Sequence, residues 1–272
     1  MILSDFHLHT CFCDGKDTPE QMVQTALQKG FSALGFSMHS PAVDYGDWII
    51  PPEDAAAYRQ EIARLKAQYG DRLTILCGIE QDADCTQPTD PYDYVIMSVH
   101  GVQDPTGKRW EMDWSLDHLK QAIAAFGNDP YKMVEAYYER VGQLQGGDIV
   151  GHIDLVTKYL ETEPLFDPNH PRYRAASQQA VDRLIKTGML FEINVGAMSR
   201  GYCTKPYPAL PLLAYICRQG GQIVLNGDCH DRAYLGAFRQ QAIELAKAAG
   251  FTRAVTLTPT GRKFYKIGRA HV

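Results

Sequence analysis

SDFHLHTCFCDG, residues 4–15, holds two imidazoles two positions apart, His7 and His9, with Asp14 five residues further on. Two-residue spacing on an extended chain points both rings to the same side. By itself the pair is either a strand that happens to carry two histidines or one edge of a metal site. Its meaning depends on where the rest of the chain supplies partners.

Working outward, short apolar runs at 2–9, 33–38, 73–79, 94–99, 148–153, 190–195 and 222–226 read as strands, most of them ended by Gly, Asp or His. Helical stretches alternate with them. Thr18 followed by Pro19 is an N-cap with proline at the first helical position, and that helix is expected to run to Gly30. Tyr58, Ile62, Leu65 and Tyr69 recur at helical spacing, as do Val134, Tyr137, Val141 and Leu144. Further helices are expected around 171–187, 208–219 and 235–249. Repeated βα alternation implies parallel strands, since each helix returns the chain for the next strand. Seven such units around one core point to an α/β fold of the closed, TIM-like barrel type. The tail from Thr252 reads as a strand or hairpin packed on the barrel's outside. Three longer connections, 40–52, 101–129 and 155–171, follow strand C-termini, the face on which barrel active sites are built. They contain Trp48, Trp110 and Trp114.

On that outline His7 and His9 end the first strand, His39 the second, Glu80 the third, His100 the fourth and His152 the fifth. The seventh ends in Asp228-Cys229-His230, a second carboxylate-x-imidazole pair. A single histidine at a strand end is more often a packed residue than a ligand, and that reading holds for His118 and His170. With Asp14, nine groups able to bind metal stand at the same end of six strands, and coincidence does not account for them. Imidazole with carboxylate suits zinc, and manganese or iron accept the same set. Nine donors exceed the needs of one tetrahedral ion, so two or three divalent ions are expected.

Composition restricts the partners. The chain has 272 residues, a formal net charge of -5 and no long basic run, so no nucleic acid partner is expected. The opening MILSDFHLHT lacks the basic-then-apolar order of a secretory signal, and no apolar run is long enough to span a bilayer. Seven cysteines without a C-x-x-C pair fit reduced thiols and a cytoplasmic location. Cys11, Cys13 and Cys229 lie beside candidate ligands but read as small buried thiols.

Asp5-x-His7-x-His9-Thr10, Gly78-Ile79-Glu80, Ser98-Val99-His100, Gly151-His152 and Asp228-x-His230 together resemble the polymerase-and-histidinol-phosphatase (PHP) family, from residue 1 to about residue 250. Gly35-Phe36-Ser37-Met38-His39-Ser40-Pro41, the chain length and the three long loops resemble its histidinol-phosphate phosphatases. The resemblance implies a distorted (β/α)7 barrel, a single domain over 1–266, with a trinuclear centre. It implies that His7, His9, Glu80 and Asp228 hold one ion. Glu80, as a bridging carboxylate, shares a second with His100 and His152, while Asp14, His39 and His230 hold a third. Some family members have histidine in place of Asp14. Asp5 reads as an outer group bonding a ligand imidazole, or as a strand-edge carboxylate. Residues 267–272 match the translation of a common sequencing-library adapter, so a non-native tail is expected there and His271 carries no functional weight.

Clustered divalent ions suit phosphoester hydrolysis: a shared water becomes hydroxide near neutral pH, and the same charges stabilise the phosphoryl oxygens. Glu80, Asp228 and Arg200 are the expected catalytic residues. Arg200 follows the sixth strand, the one without a candidate ligand, where a guanidinium meets a phosphate bidentately. Lys158 is either a second phosphate ligand or a solvated lysine. Histidinol phosphate, a small phosphate monoester with an amine and an imidazole, would suit acidic and aromatic lid residues such as Asp44, Trp48, Trp110 and Glu111. The leading expectation is thus a histidinol-phosphatase. Three alternatives stand beside it: a PHP phosphoesterase acting on a nucleotide or nucleic-acid end, a non-catalytic metal-binding regulatory domain, and a metal-dependent amidohydrolase.

Overall fold

The computed structural model describes residues 3–40 and 49–267. In chain order the elements are β1 (Ser4–Asp5), α1 (Pro19–Gln28), β2 (Ala33–His39), α2 (Ala55–Tyr69), β3 (Thr74–Asp82), β4 (Tyr94–Ser98), β5 (Gly101–Gln103), β6 (Arg109–Glu111), α3 (Leu116–Ala125) and α4 (Pro130–Val141). There follow β7 (Ile149–Val150), α5 (Pro171–Ile185), β8 (Leu190–Asn194), α6 (Gly196–Ser199), α7 (Leu210–Arg218), β9 (Ile223–Asn226), α8 (Arg239–Ala248), β10 (Arg253–Thr258) and β11 (Gly261–Lys266). Local signals set many of the boundaries. Thr18 and Gln21 form a reciprocal capping box on α1, and Asp129 caps α4 ahead of Pro130.

Among the described residues, seven parallel strands form one sheet in the order β1-β2-β3-β4-β7-β8-β9. Just beyond its two ends the chain pairs again: His9 N–H donates to Cys229 O and Cys229 N–H to His7 O, each at 3.0 Å. The side chain of Asn226 accepts Phe6 N–H at 3.0 Å across the same seam. The barrel is thereby nearly closed, as its βα alternation implies.

Period-two alternation sorts the interior into layers. Ala33, Leu76, Tyr94, Ile96, Leu190 and Val224 are buried together low in the barrel. Higher on the same strands and in the same phase come Ser37, Glu80, Ser98, Glu192, Asn194 and Asn226, all buried and polar. The phase breaks in the first strand. Regular pairing stops at Asp5, and the consecutive residues Phe6 and His7 are both enclosed by the barrel.

Two expectations need correction. The hairpin β10–β11 does not lie on the outside: Val255 and Leu257 join the lower apolar layer and close that end of the barrel. Connection 101–129 is not a plain loop either. It folds into the antiparallel pair β5–β6 and then α3, capped by Ser115. Among the described residues no helix is long and apolar enough to cross a membrane. Trp48, Asp44 and the tail 268–272 with His271 lie outside the described residues.

Candidate metal centre

The upper polar layer gathers all nine expected donors. His39 and Glu80 are register partners on β2 and β3, so their side chains emerge side by side. His100, His152 and Asp228 each stand two residues beyond the end of β4, β7 and β9. His7, His9, His39, Glu80, His100, His152 and Asp228 are buried, while Asp14 and His230 sit at the open rim.

Glu80 is the hub. Its Oε2 lies 3.0 Å from His7 Nε2, 3.1 Å from His39 Nδ1 and 3.4 Å from His9 Nε2. Its Oε1 lies 2.9 Å from His152 Nε2 and 3.4 Å from His100 Nε2, and it accepts a 2.6 Å bond from Ser98 Oγ. Asp228 Oδ1 is 3.4 Å from His9 Nε2 and 3.8 Å from His7 Nε2. On the rim His230 Nε2 is 3.1 Å from Asp14 Oδ2. Four overlapping sets bring their donor atoms together: His9, Asp14, His39 and His230; His7, Glu80 and His152; His7, His9 and Asp228; and His39, Glu80 and His100. His7, His9, His39 and Glu80 therefore each serve two sets, more sharing than the three-way partition expected from the resemblance, in which Glu80 alone is shared.

The bonding of these groups fits a divalent cation. His7 Nε2, His9 Nε2 and Glu80 Oε2 are buried and make no hydrogen bond, an arrangement that costs about 1–3 kcal/mol per group when nothing else satisfies it. Separations near 3.4 Å are those of ligands about 2.1 Å from a shared tetrahedral ion. The charges are balanced accordingly. Burial opposes ionisation of Glu80, but His7, His39 and His100 outweigh it and hold the carboxyl well below its usual range. Burial is likewise outweighed at Asp228, by Arg200 and His7. Burial, reinforced by His230 and His39, drives His9 down to about 3 and keeps it neutral, the form a ligand requires. None of these four sets includes a cysteine, and burial pushes the Cys229 thiol up to about 12 and Cys13 higher still.

Two carboxylates that orient ligands are absent from the expectations drawn from sequence. Glu192 sits on β8, the strand with no candidate ligand. Its Oε1 accepts from His7 Nδ1 at 2.6 Å and Asn226 Nδ2 at 2.8 Å, and its Oε2 from His152 N–H at 2.8 Å and Asn194 Nδ2 at 2.9 Å. Asp82 at the end of β3 accepts from His100 Nδ1 at 3.0 Å. A carboxylate behind an imidazole fixes its tautomer and aim. Asp5 does not play this part. Its carboxylate accepts the backbone N–H groups of His7 and Gly227, tying the barrel seam, and burial raises its pKa to about 7.

The donors floor a cavity of about 190 Å³ whose wall carries Glu111, Asp113, Trp114, Lys158 and Arg200. Arg200 donates to Asp228 Oδ2 at 3.1 Å. Lys158 is not a solvated lysine: it is buried, with its ammonium 2.9 Å from Asp113 O and 3.2 Å from Asp113 Oδ2. Trp110 is turned away from the cavity, donating to Asp104 Oδ2 at 2.9 Å. Trp114, 67% exposed, supplies an aromatic wall instead. Outside the centre, His170 caps α5 and stacks on Tyr131, and His118 accepts Glu111 N–H.

Known proteins resemble this chain in sequence and in fold. A "Probable histidinol-phosphatase" of Schizosaccharomyces pombe is 28% identical over 240 residues, covering 80% of this chain and 76% of that protein. One of Deinococcus radiodurans is 27% identical over 268 residues, covering 91% and 94%. A histidinol phosphate phosphatase of Lactococcus lactis, solved in complex with zinc, L-histidinol and phosphate, superposes with a TM-score of 0.70 at 22% identity over 96% of this chain and 98% of that one. The PHP domain model matches residues 5–196, most of the barrel and seven of the nine donors, and the chain belongs to the PHP domain family.

Proposed function

We propose that this protein is a metal-dependent phosphomonoesterase that hydrolyses L-histidinol phosphate to L-histidinol and phosphate, a step of histidine biosynthesis. The observation that carries the reading is the floor of the cavity, where buried nitrogen and carboxylate donors outside any hydrogen bond converge beneath Arg200 and Lys158. The two curated relatives bear the name histidinol-phosphatase over most of the chain, which supports the substrate. Two or three divalent ions, of zinc, manganese or iron, would be held by His7, His9, Glu80 and Asp228, by Glu80, His100 and His152, and by Asp14, His39 and His230.

Such ions, when bound, make water acidic enough to attack near neutral pH and offset the charge of the phosphoryl group. Glu80 and Asp228 hold the cluster of imidazoles in place. Arg200, at the rim beside Asp228, presents its fork of N–H groups to the phosphoryl oxygens. Lys158 adds a positive charge on the wall. Glu111, Asp113 and the Trp114 ring complement an ammonium and an imidazole, the two features that distinguish histidinol phosphate from other small phosphate esters. The water oxygen bonds to phosphorus as the ester P–O bond breaks, and the proton the water gives up is returned to the departing alkoxide, leaving the alcohol and hydrogen phosphate.

Phosphate release from a panel of histidinol phosphate, nucleoside monophosphates and oligonucleotides tests this, with zinc, manganese or iron added to metal-free protein. Histidinol phosphate is expected to be turned over fastest. Release from a nucleotide with none from histidinol phosphate overturns the substrate.

A further inference from the structure

The hairpin β5–β6 leaves β4 immediately after His100 and carries Glu111 to the cavity wall. Between the two lies Arg109. Its guanidinium holds Glu111 with two prongs, Nε to Oε1 at 2.8 Å and Nη2 to Oε2 at 3.2 Å. The same guanidinium reaches Asp82, Nη2 to Oδ2 at 3.3 Å, and pairs with Asp84, which Arg140 of α4 also engages. Asp82 Oδ2 in turn accepts both the backbone N–H of His100, at 3.2 Å, and its Nδ1, at 3.0 Å. His100 Nε2 faces Glu80. One continuous run of charge-assisted contacts thus joins the substrate-facing carboxylate to the metal-facing imidazole.

The backbone is shaped to admit this guanidinium. A Cβ on Gly101 would lie 2.8 Å from both Cζ and Nε of Arg109, so the planar group packs against the bare backbone of Gly101 and a side chain there would have to displace it. The charge balance agrees. Asp82, Asp84 and Glu111 are three carboxylates around one hairpin, and Arg109 pairs with all of them, whereas Arg140 pairs with Asp84. Without Arg109, Asp82 would keep Asp84 N–H on its Oδ1 at 2.9 Å but lose the cation on Oδ2, the oxygen that also holds Nδ1 of His100.

We propose that Arg109 is a positioning residue: it aims His100 at the metal centre through Asp82 while fixing Glu111 on the cavity wall. The role rests on the metal-dependent reading above, but not on the identity of the substrate. Arg109→Met removes the cation and keeps the bulk. Gly101→Ala leaves every charge in place and pushes a methyl into the guanidinium. Zinc affinity of each variant, read by competition with a chelating indicator dye, is expected to fall several-fold, less than the roughly 10–100-fold that follows loss of the partner directly behind a ligand imidazole. Lost turnover should return with excess zinc, and Arg109→Lys should recover part of the affinity. A merely structural residue would instead lower the melting temperature of metal-free protein and leave zinc affinity intact. Zinc affinity within about twofold of wild type in Arg109→Met overturns the role. Should Arg109→Met fail to fold, an equally unchanged affinity in Arg109→Gln overturns it. Wild-type protein that binds zinc yet releases no phosphate from histidinol phosphate overturns the substrate alone.

Discussion

Glu192 is wholly buried, and its two oxygens accept four bonds, among them those from His7 and the backbone of His152. Exchanging it for Gln places an amide donor against groups that already donate. Glu192→Gln is therefore expected to weaken zinc binding about 10–100-fold while the protein still folds, as measured by zinc competition and by circular dichroism. Glu80→Ala removes the carboxylate that five imidazoles face and is expected to abolish phosphate release; near-normal turnover would contradict a centre shared through Glu80. The nine donors are readable in the sequence because strand ends announce themselves with Gly, Asp and His at regular intervals. Glu192 is not, because it lies inside an apolar strand and its histidine partner is 185 residues away. Asp82 and Arg109 are hidden for a similar reason: their pairing depends on a hairpin whose strands are only three residues each.

At the scale of elements, β2 and β3 reach the barrel interior through glycines that make room for one ring. A Cβ on Gly78 would fall 2.3 Å from Cζ of Tyr94, whose hydroxyl donates to Phe6 O at 2.6 Å and Phe36 O at 3.0 Å. Gly78→Ala must displace the ring and its bonds, with an expected cost of about 1–3 kcal/mol in chemical denaturation. The hairpin β10–β11 gives a second case. Leu257→Ala opens a hole in the lower apolar layer and is expected to cost about 2–5 kcal/mol, with kcat of the folded protein unchanged because the donors stand in the polar layer above and Leu257 is not among the residues lining the cavity. The alternation of Val255 and Leu257 marks a buried face in the sequence, but period alone does not say which surface that face covers. The end of an open barrel and the flank of a helix layer present the same apolar demand. Most helix positions, by contrast, are fixed by caps and prolines that act within a few residues.

For the whole molecule, the decisive quantity is the carboxylate charge enclosed in the barrel, where Arg200 answers Asp228 and imidazoles surround Glu80 and Glu192. Glu80, Glu192, Asp228 and the imidazoles around them lie in the interior, and burying ionised groups costs several kcal/mol each unless something compensates. Bound cations provide that compensation and bind the folded state preferentially. Zinc at about a thousand times its dissociation constant should add about 4 kcal/mol to stability, raising the melting temperature by about 10 °C. Thermal unfolding across a zinc series, with a chelator-treated sample as the baseline, checks this; a melting temperature indifferent to zinc contradicts it. The same closure has a consequence for synthesis. The backbone of Leu8 meets that of Cys229, and the flanking residues His7, His9, Asp228 and His230 all belong to the centre. On the ribosome, the first half of this joint emerges early and waits, exposed, until the second half has been translated. The sets around Glu80 can therefore be complete in a nascent chain once His152 is made, and only those that include Asp228 or His230 await the last barrel strand.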